Sequence, residues 1–105
     1  MNFIGVSTKY IGYNYLVDTT LLYHDIVKQN KKVLLGRLLN IISSKYNTKY
    51  TSVEKDARVC IEGAFRYGNL KNINAIFENI SSYYEERPSI KLFISTIINY
   101  LNNNE

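Results

Sequence analysis

TSVEKDARVCIEGAFRYG, residues 51–68, carries the clearest helical pattern in the chain. Val53, Ala57, Cys60, Ile61 and Ala64 recur at steps of four, three, one and three, which gathers them on one face of a helix. Thr51 followed three residues later by Glu54 is a capping-box spacing. The hydroxyl can accept the Glu54 backbone N–H while the carboxylate reaches back to the Thr51 N–H. Gly68, just past Arg66 and Tyr67, can take the left-handed conformation that ends a helix. With the apolar stripe turned inward, Ser52, Lys55, Val59, Glu62 and Arg66 fall on the opposite side, flanked by Glu54 and Arg58.

The same periodicity continues on both sides. Upstream, residues 13–29 place Tyr13, Leu16, Val17, Leu21, Ile26 and Val27 on one side of a first helix. Shorter segments over 31–38 and 40–46 predict a second and a third helix, and Asn47-Thr48-Lys49 breaks the pattern before the helix already described. Downstream, Leu70, Ile73, Ile76, Phe77 and Ile80 predict a fifth helix over 70–83. Ile90, Phe93, Ile94, Ile97, Ile98 and Leu101 predict a sixth over 89–101. No alternation of period two bounded by hairpin turns competes with these readings. The expectation is an all-α domain, a six-helix bundle-like fold containing a helix-turn-helix at about residues 40–67.

Length and composition exclude more than they assign. At 105 residues with 46% hydrophobic content, the chain suffices for one domain and one core. Its apolar runs, such as Val33-Leu34-Leu35 and Ile97-Ile98, are far shorter than the ~20 residues of a membrane span. The start, Met1-Asn2-Phe3-Ile4-Gly5-Val6, lacks a basic flank followed by a long apolar stretch, so a cytoplasmic location is expected. Cys60 is the only cysteine and falls on an inward face, which suits a packed thiol better than a nucleophile. His24 is the only histidine, so no metal-ligand pair is available, and Glu85-Glu86 is a solvated acidic pair. Gly63 and Gly68 form no phosphate-cradling loop. No catalytic constellation is visible. Neither an enzyme nor a cofactor is expected.

Charge points elsewhere. From Lys28 to Lys71 ten Lys and Arg face three acids (Glu54, Asp56, Glu62), a surplus of seven, whereas the remainder carries a deficit of three. A concentrated cationic surplus is what a phosphate-binding surface requires, because neutralising phosphates releases condensed counterions. A helix presenting residues 52–66 to the major groove would let Arg58 or Lys55 donate to guanine O6 and N7. Glu54 would accept from a cytosine amino group or orient Arg58 one turn on. Glu62 lies on the same side. Lys45, Lys49 and Thr51, around the turn, stand where backbone phosphates would pass. On spacing alone, the same face serves equally as an ordinary solvated, charged surface.

A resemblance adds to this reading. Ile4-Gly5-Val6, Gly12-Tyr13-Asn14-Tyr15-Leu16 and Lys45-Tyr46-Asn47-Thr48 resemble the C-terminal effector domain of the sporulation master response regulator (stage-zero sporulation protein A). So do Val53-Glu54-Lys55, Arg58, Ile61-Glu62, Gly68-Asn69-Leu70, Ile73, Phe77, Pro88 and Phe93-Ile94. Almost the whole chain is covered. The resemblance implies a six-helix, DNA-binding transcriptional regulator whose recognition helix carries arginine, glutamate, arginine and arginine. Glu54 and Arg58 match that pattern, while Ser52 stands in place of one arginine and Lys55 in place of another. It also implies a surface around Phe77 for the RNA polymerase sigma factor, and a homodimer on tandem sites. The family's phosphoacceptor receiver domain has no counterpart in these 105 residues. The alternative function is a protein-interaction antagonist or adaptor of a full-length sporulation regulator or of RNA polymerase. A plasmid or phage DNA accessory protein is a further one.

Overall fold

A computed structural model describes residues 7–67 and 89–103. Among the described residues there are four helices and no strand: α1 (Gly12–Lys28), α2 (Leu35–Lys45), α3 (Tyr50–Tyr67) and α4 (Ile90–Asn103). Among the described residues the all-helical expectation holds, and a count of six helices is not supported. The predicted helices over 31–38 and 40–46 are one element. Leu35, Leu38, Leu39, Ile42 and Ser43 form a single amphipathic stripe along α2, and nothing between Leu38 and Asn40 interrupts the backbone ladder. Residues 31–34 precede the helix instead, Leu34 being extended (φ −115°, ψ 101°) and Val33 anchored in the core. The predicted fifth helix over 70–83, with Phe77, lies outside the described residues.

The helix ends follow from local chemistry. Both α1 and α2 close in the same way, with an asparagine in the left-handed region just beyond the helix, Asn30 at φ 56° and Asn47 at φ 51°. After α1, the Lys31 N–H donates to the Ile26 carbonyl (3.2 Å) and Asn30 to Val27 (3.0 Å). After α2, Thr48 donates to Ser43 (2.9 Å) and Asn47 to Ser44 (3.2 Å). These paired bonds satisfy carbonyls that the helix leaves without partners, and asparagine tolerates the required backbone better than most L-residues. At the start of α4, Ser89 Oγ accepts the Leu92 N–H (3.2 Å), the ordinary N-cap arrangement. The capping box expected at Thr51 is not formed. The Lys49 carbonyl accepts the N–H groups of Ser52 (3.0 Å) and Val53 (3.1 Å), so α3 begins earlier and Thr51 lies within its first turn.

The core is built from α3 outward. Val53, Ala57, Cys60, Ile61 and Ala64 are all buried, as their spacing predicts, and α3 packs against each of the other three helices. α4 supplies Ile90, Phe93, Ile94, Ile97 and Ile98 to the same interior. Phe93 packs on Phe65 with ring centroids 6.4 Å apart. A second cluster, Tyr15, Leu39, Ile42 and Val53, joins α1 and α2 to the first turns of α3. The inner face of α1 differs from the expected one: Tyr15, Leu16, Thr19 and Tyr23 are buried, whereas Leu21 is 61% and Val27 40% exposed. Gly12 causes the rotation. A Cβ there would stand 2.0 Å from the Asp56 carbonyl oxygen and 2.8 Å from the Ala57 nitrogen, so the start of α1 lies directly on the α3 backbone. Buried Thr19 is accommodated because its hydroxyl donates to the Tyr15 carbonyl at 2.6 Å.

Two glycines should therefore respond to alanine with opposite signs. Gly12→Ala forces the helices apart and should cost about 1–3 kcal/mol, lowering Tm by roughly 4–8 °C per kcal/mol for a domain of this size. Gly36 is exposed in α2 and a Cβ there would meet only the Tyr50 hydroxyl at 3.9 Å. Gly36→Ala should stabilise by about 0.5–1 kcal/mol through helix propensity and reduced unfolded-state entropy. Thermal melts of the two variants check this; a neutral Gly12→Ala would contradict the close crossing.

Candidate nucleic-acid interface

The connection from α2 to α3 is four residues long, Tyr46 to Lys49, and is held at both ends. The left-handed Asn47 and its flanking bonds turn the chain. Tyr46 is clamped from the side: its ring meets that of Tyr15 edge-on at 5.0 Å, and its hydroxyl donates to Asp18 Oδ2 at 2.5 Å. The same carboxylate oxygen takes the Lys45 ammonium at 2.8 Å. Asp18 on α1 therefore ties down the last turn of α2, and packing of Val53 against Leu39 and Ile42 fixes α3 relative to both. Burial raises the Asp18 carboxyl, but the hydrogen bonds from Lys45 and Tyr46 and the attraction of Lys45 outweigh it, leaving the group below its ordinary range. The pair also raises Lys45 and Tyr46, each chiefly through its bond to Asp18.

Opposite its buried stripe, α3 presents Thr51, Lys55, Arg58, Val59 and Arg66 to solvent, with Ser52, Glu54 and Glu62 half-buried at the margins. Two ion pairs run along the helix, Arg58 to Glu54 at 3.8 Å and Arg66 to Glu62 at 3.2 Å. Both are exposed pairs one turn apart, weak in energy but able to set the direction of a guanidinium. Lys55 and Lys49 have no acidic partner among the described residues, so their charges are available to a phosphate or a base edge. Of the residues expected to bind, Ser52, Glu54, Lys55, Arg58, Glu62 and Thr51 share this outward side, and Lys49 stands at its leading end. Lys45 differs, because its charge is already engaged by Asp18. The spacing within 40–67 gives no signal for this capture, since the carboxylate lies on α1.

Cys60 suits a structural role. Cys60 is fully buried, and burial pushes its thiol up to about 11, so it stays protonated at neutral pH. Among the described residues no cluster of three metal-ligating side chains occurs, and no helix is long and apolar enough to cross a membrane. The sigma-factor surface expected around Phe77 lies outside the described residues.

A family model described as sporulation initiation factor Spo0A C terminal matches residues 1–101. The chain belongs to that family. Membership makes it a DNA-binding effector domain of the sporulation response-regulator class, a family of transcription regulation rather than an enzyme family. No solved structure matches it significantly.

The Asp18 clamp has a definite pH signature. A carboxyl depressed by folding contributes stability that is present above its unfolded value, near 4, and is lost as pH falls through the folded value. Asp18→Asn should therefore be less stable than wild type at pH 7, and the gap should shrink below about pH 4. Urea melts at pH 7 and pH 3 measure it; an equal gap at both pH values would deny the carboxylate its role.

Proposed function

We propose that this effector domain is a sequence-specific, duplex-DNA-binding transcriptional regulator in which α2, the clamped turn and α3 act as the helix-turn-helix. The observation that carries the reading is the division of α3. One side is core, and the other is an exposed, cationic face beginning at a locked turn. A helix held in this way can enter the major groove, which admits one α-helix and offers a distinct donor and acceptor pattern for each base pair.

Roles follow from chemistry and position. Arg58, aimed by Glu54, donates to guanine O6 and N7, and Lys55 supplies a second, less directional donor. Thr51 and Lys49 contact phosphates at the leading end of α3, where the helix dipole also favours anions. Glu62 orients Arg66 at the trailing end. Ser52 replaces a donor fork with a single hydroxyl, which shifts the preferred sequence away from that of relatives carrying arginine there. Lys45 contributes less to phosphate binding than its position suggests, because contact with DNA must compete with Asp18.

The antagonist reading draws support from Ser52 and from the pairing of both α3 arginines with glutamates. Selection from a random duplex pool separates the two. A regulator should prefer some sequence by at least ~100-fold over random duplex, with a log–log salt slope of roughly −4 to −6. Arg58→Ala should then cost about 1–3 kcal/mol on that sequence and relax preference at one or two base pairs. A pool that enriches nothing, together with a stable complex with a full-length regulator or polymerase, would overturn the reading.

A further inference from the structure

Among the described residues of α3, Val59 is the large aliphatic side chain left exposed, at 46%. Every other aliphatic side chain of that helix from Val53 to Ala64 is buried. Val59 follows Arg58 directly and continues the outward line of Ser52 and Lys55. Its acidic neighbour one turn on, Glu62, is engaged by Arg66 at 3.2 Å. On its other side is Gly63, where a Cβ would stand 2.5 Å from the Tyr10 ring, so the Tyr10 side chain covers that strip of the helix. Val59 thus forms an apolar island between the charged stripe and an aromatic border, and Arg58 stands on the opposite margin of the stripe.

We propose that Val59 reads a thymine by its 5-methyl group, an inference that rests on the major-groove reading above. The thymine methyl is the one apolar feature among the base edges of that groove, and side chains that discriminate it do so by apolar contact. Valine in a helix is confined almost to one χ1 rotamer, so its two methyls form a preorganised surface and little entropy is lost on contact. Cytosine at the same place carries only hydrogen at C5, so the apolar contact with valine is lost. Val59 therefore selects thymine over cytosine. Arg58 and Val59, on either margin of Lys55, select a guanine and a thymine respectively.

The test uses the wild-type domain and the duplex it prefers from random-pool selection. Each thymine is replaced in turn by deoxyuridine, which deletes the methyl and leaves the base pair intact. At one or two positions binding should weaken about fourfold, the equivalent of the ~0.8 kcal/mol for burying one methyl-sized group. Val59→Ala should bind the thymine duplex more weakly by a similar factor and show no further loss with deoxyuridine. Because Val59 is exposed, this variant should melt like wild type, and Arg58→Ala should keep its full deoxyuridine effect. Sequence-specific binding with no deoxyuridine effect would overturn the assignment while leaving the DNA reading intact. So would an effect that persists undiminished in Val59→Ala. Absence of any preferred duplex would overturn both.

Discussion

At Gly12 the backbone of α1 rests on the backbone of α3, with no side chain between Gly12 and the Asp56–Ala57 peptide. A contact this close removes two freedoms together, the rotation of α1 about its axis and the roll of α3. With Gly12 inward, Tyr15, Leu16, Thr19 and Tyr23 must follow it into the interior. Asp18 is then carried to the side of α1 that overhangs the end of α2, where Lys45 and Tyr46 bind it. With Ala57 inward, Lys55, Arg58 and Val59 must face out. The electrostatic clamp and the outward surface of α3 both depend on this crossing.

The parts of this arrangement that could be read in the sequence are those governed by one helix at a time. On α3 and α4 the apolar residues keep a strict helical period, so periodicity alone identifies the buried faces. On α1 the same method favoured Leu21 and Val27, which are exposed, because hydrophobic character was weighed and the space above a glycine was not. Over 31–46 the sequence reads as two short helices that meet at Leu39 and Asn40, whereas α2 runs unbroken through both. A single asparagine costs a helix only a few tenths of a kcal/mol, and the stripe through Leu35, Leu39 and Ile42 outweighs that. Thr51 and Glu54 had the spacing of a capping box, yet Tyr50 packs with the Leu39–Val53 cluster and draws the helix start upstream. Competition between a local motif and tertiary packing was decided by packing.

Electrostatics shows the same division. A cationic surplus between Lys28 and Lys71 is plain from composition, but composition counts charges without regard to their partners. In the folded domain Lys45 is committed to Asp18, and Arg58 and Arg66 are directed by glutamates one turn away. Lys49 and Lys55 remain available. The outward face of α3 is therefore less a uniform basic patch than an ordered row: a free lysine at each of two positions, two steered guanidiniums, and one aliphatic side chain. Family membership gives that row its context, and Ser52 and Lys55 stand where the resemblance implies arginines.

On the proposed reading, the outward face of α3 is the surface that meets duplex DNA. Amide chemical-shift perturbation of the isotope-labelled domain, titrated with its selected duplex, tests it most directly. Large shifts are expected on Lys49 through Val59, while Leu21, Asp25 and Ile41, on the exposed side of the α1–α2 pair, stay unperturbed. Shifts concentrated on Leu21, Asp25 and Ile41, with α3 unmoved, would contradict it.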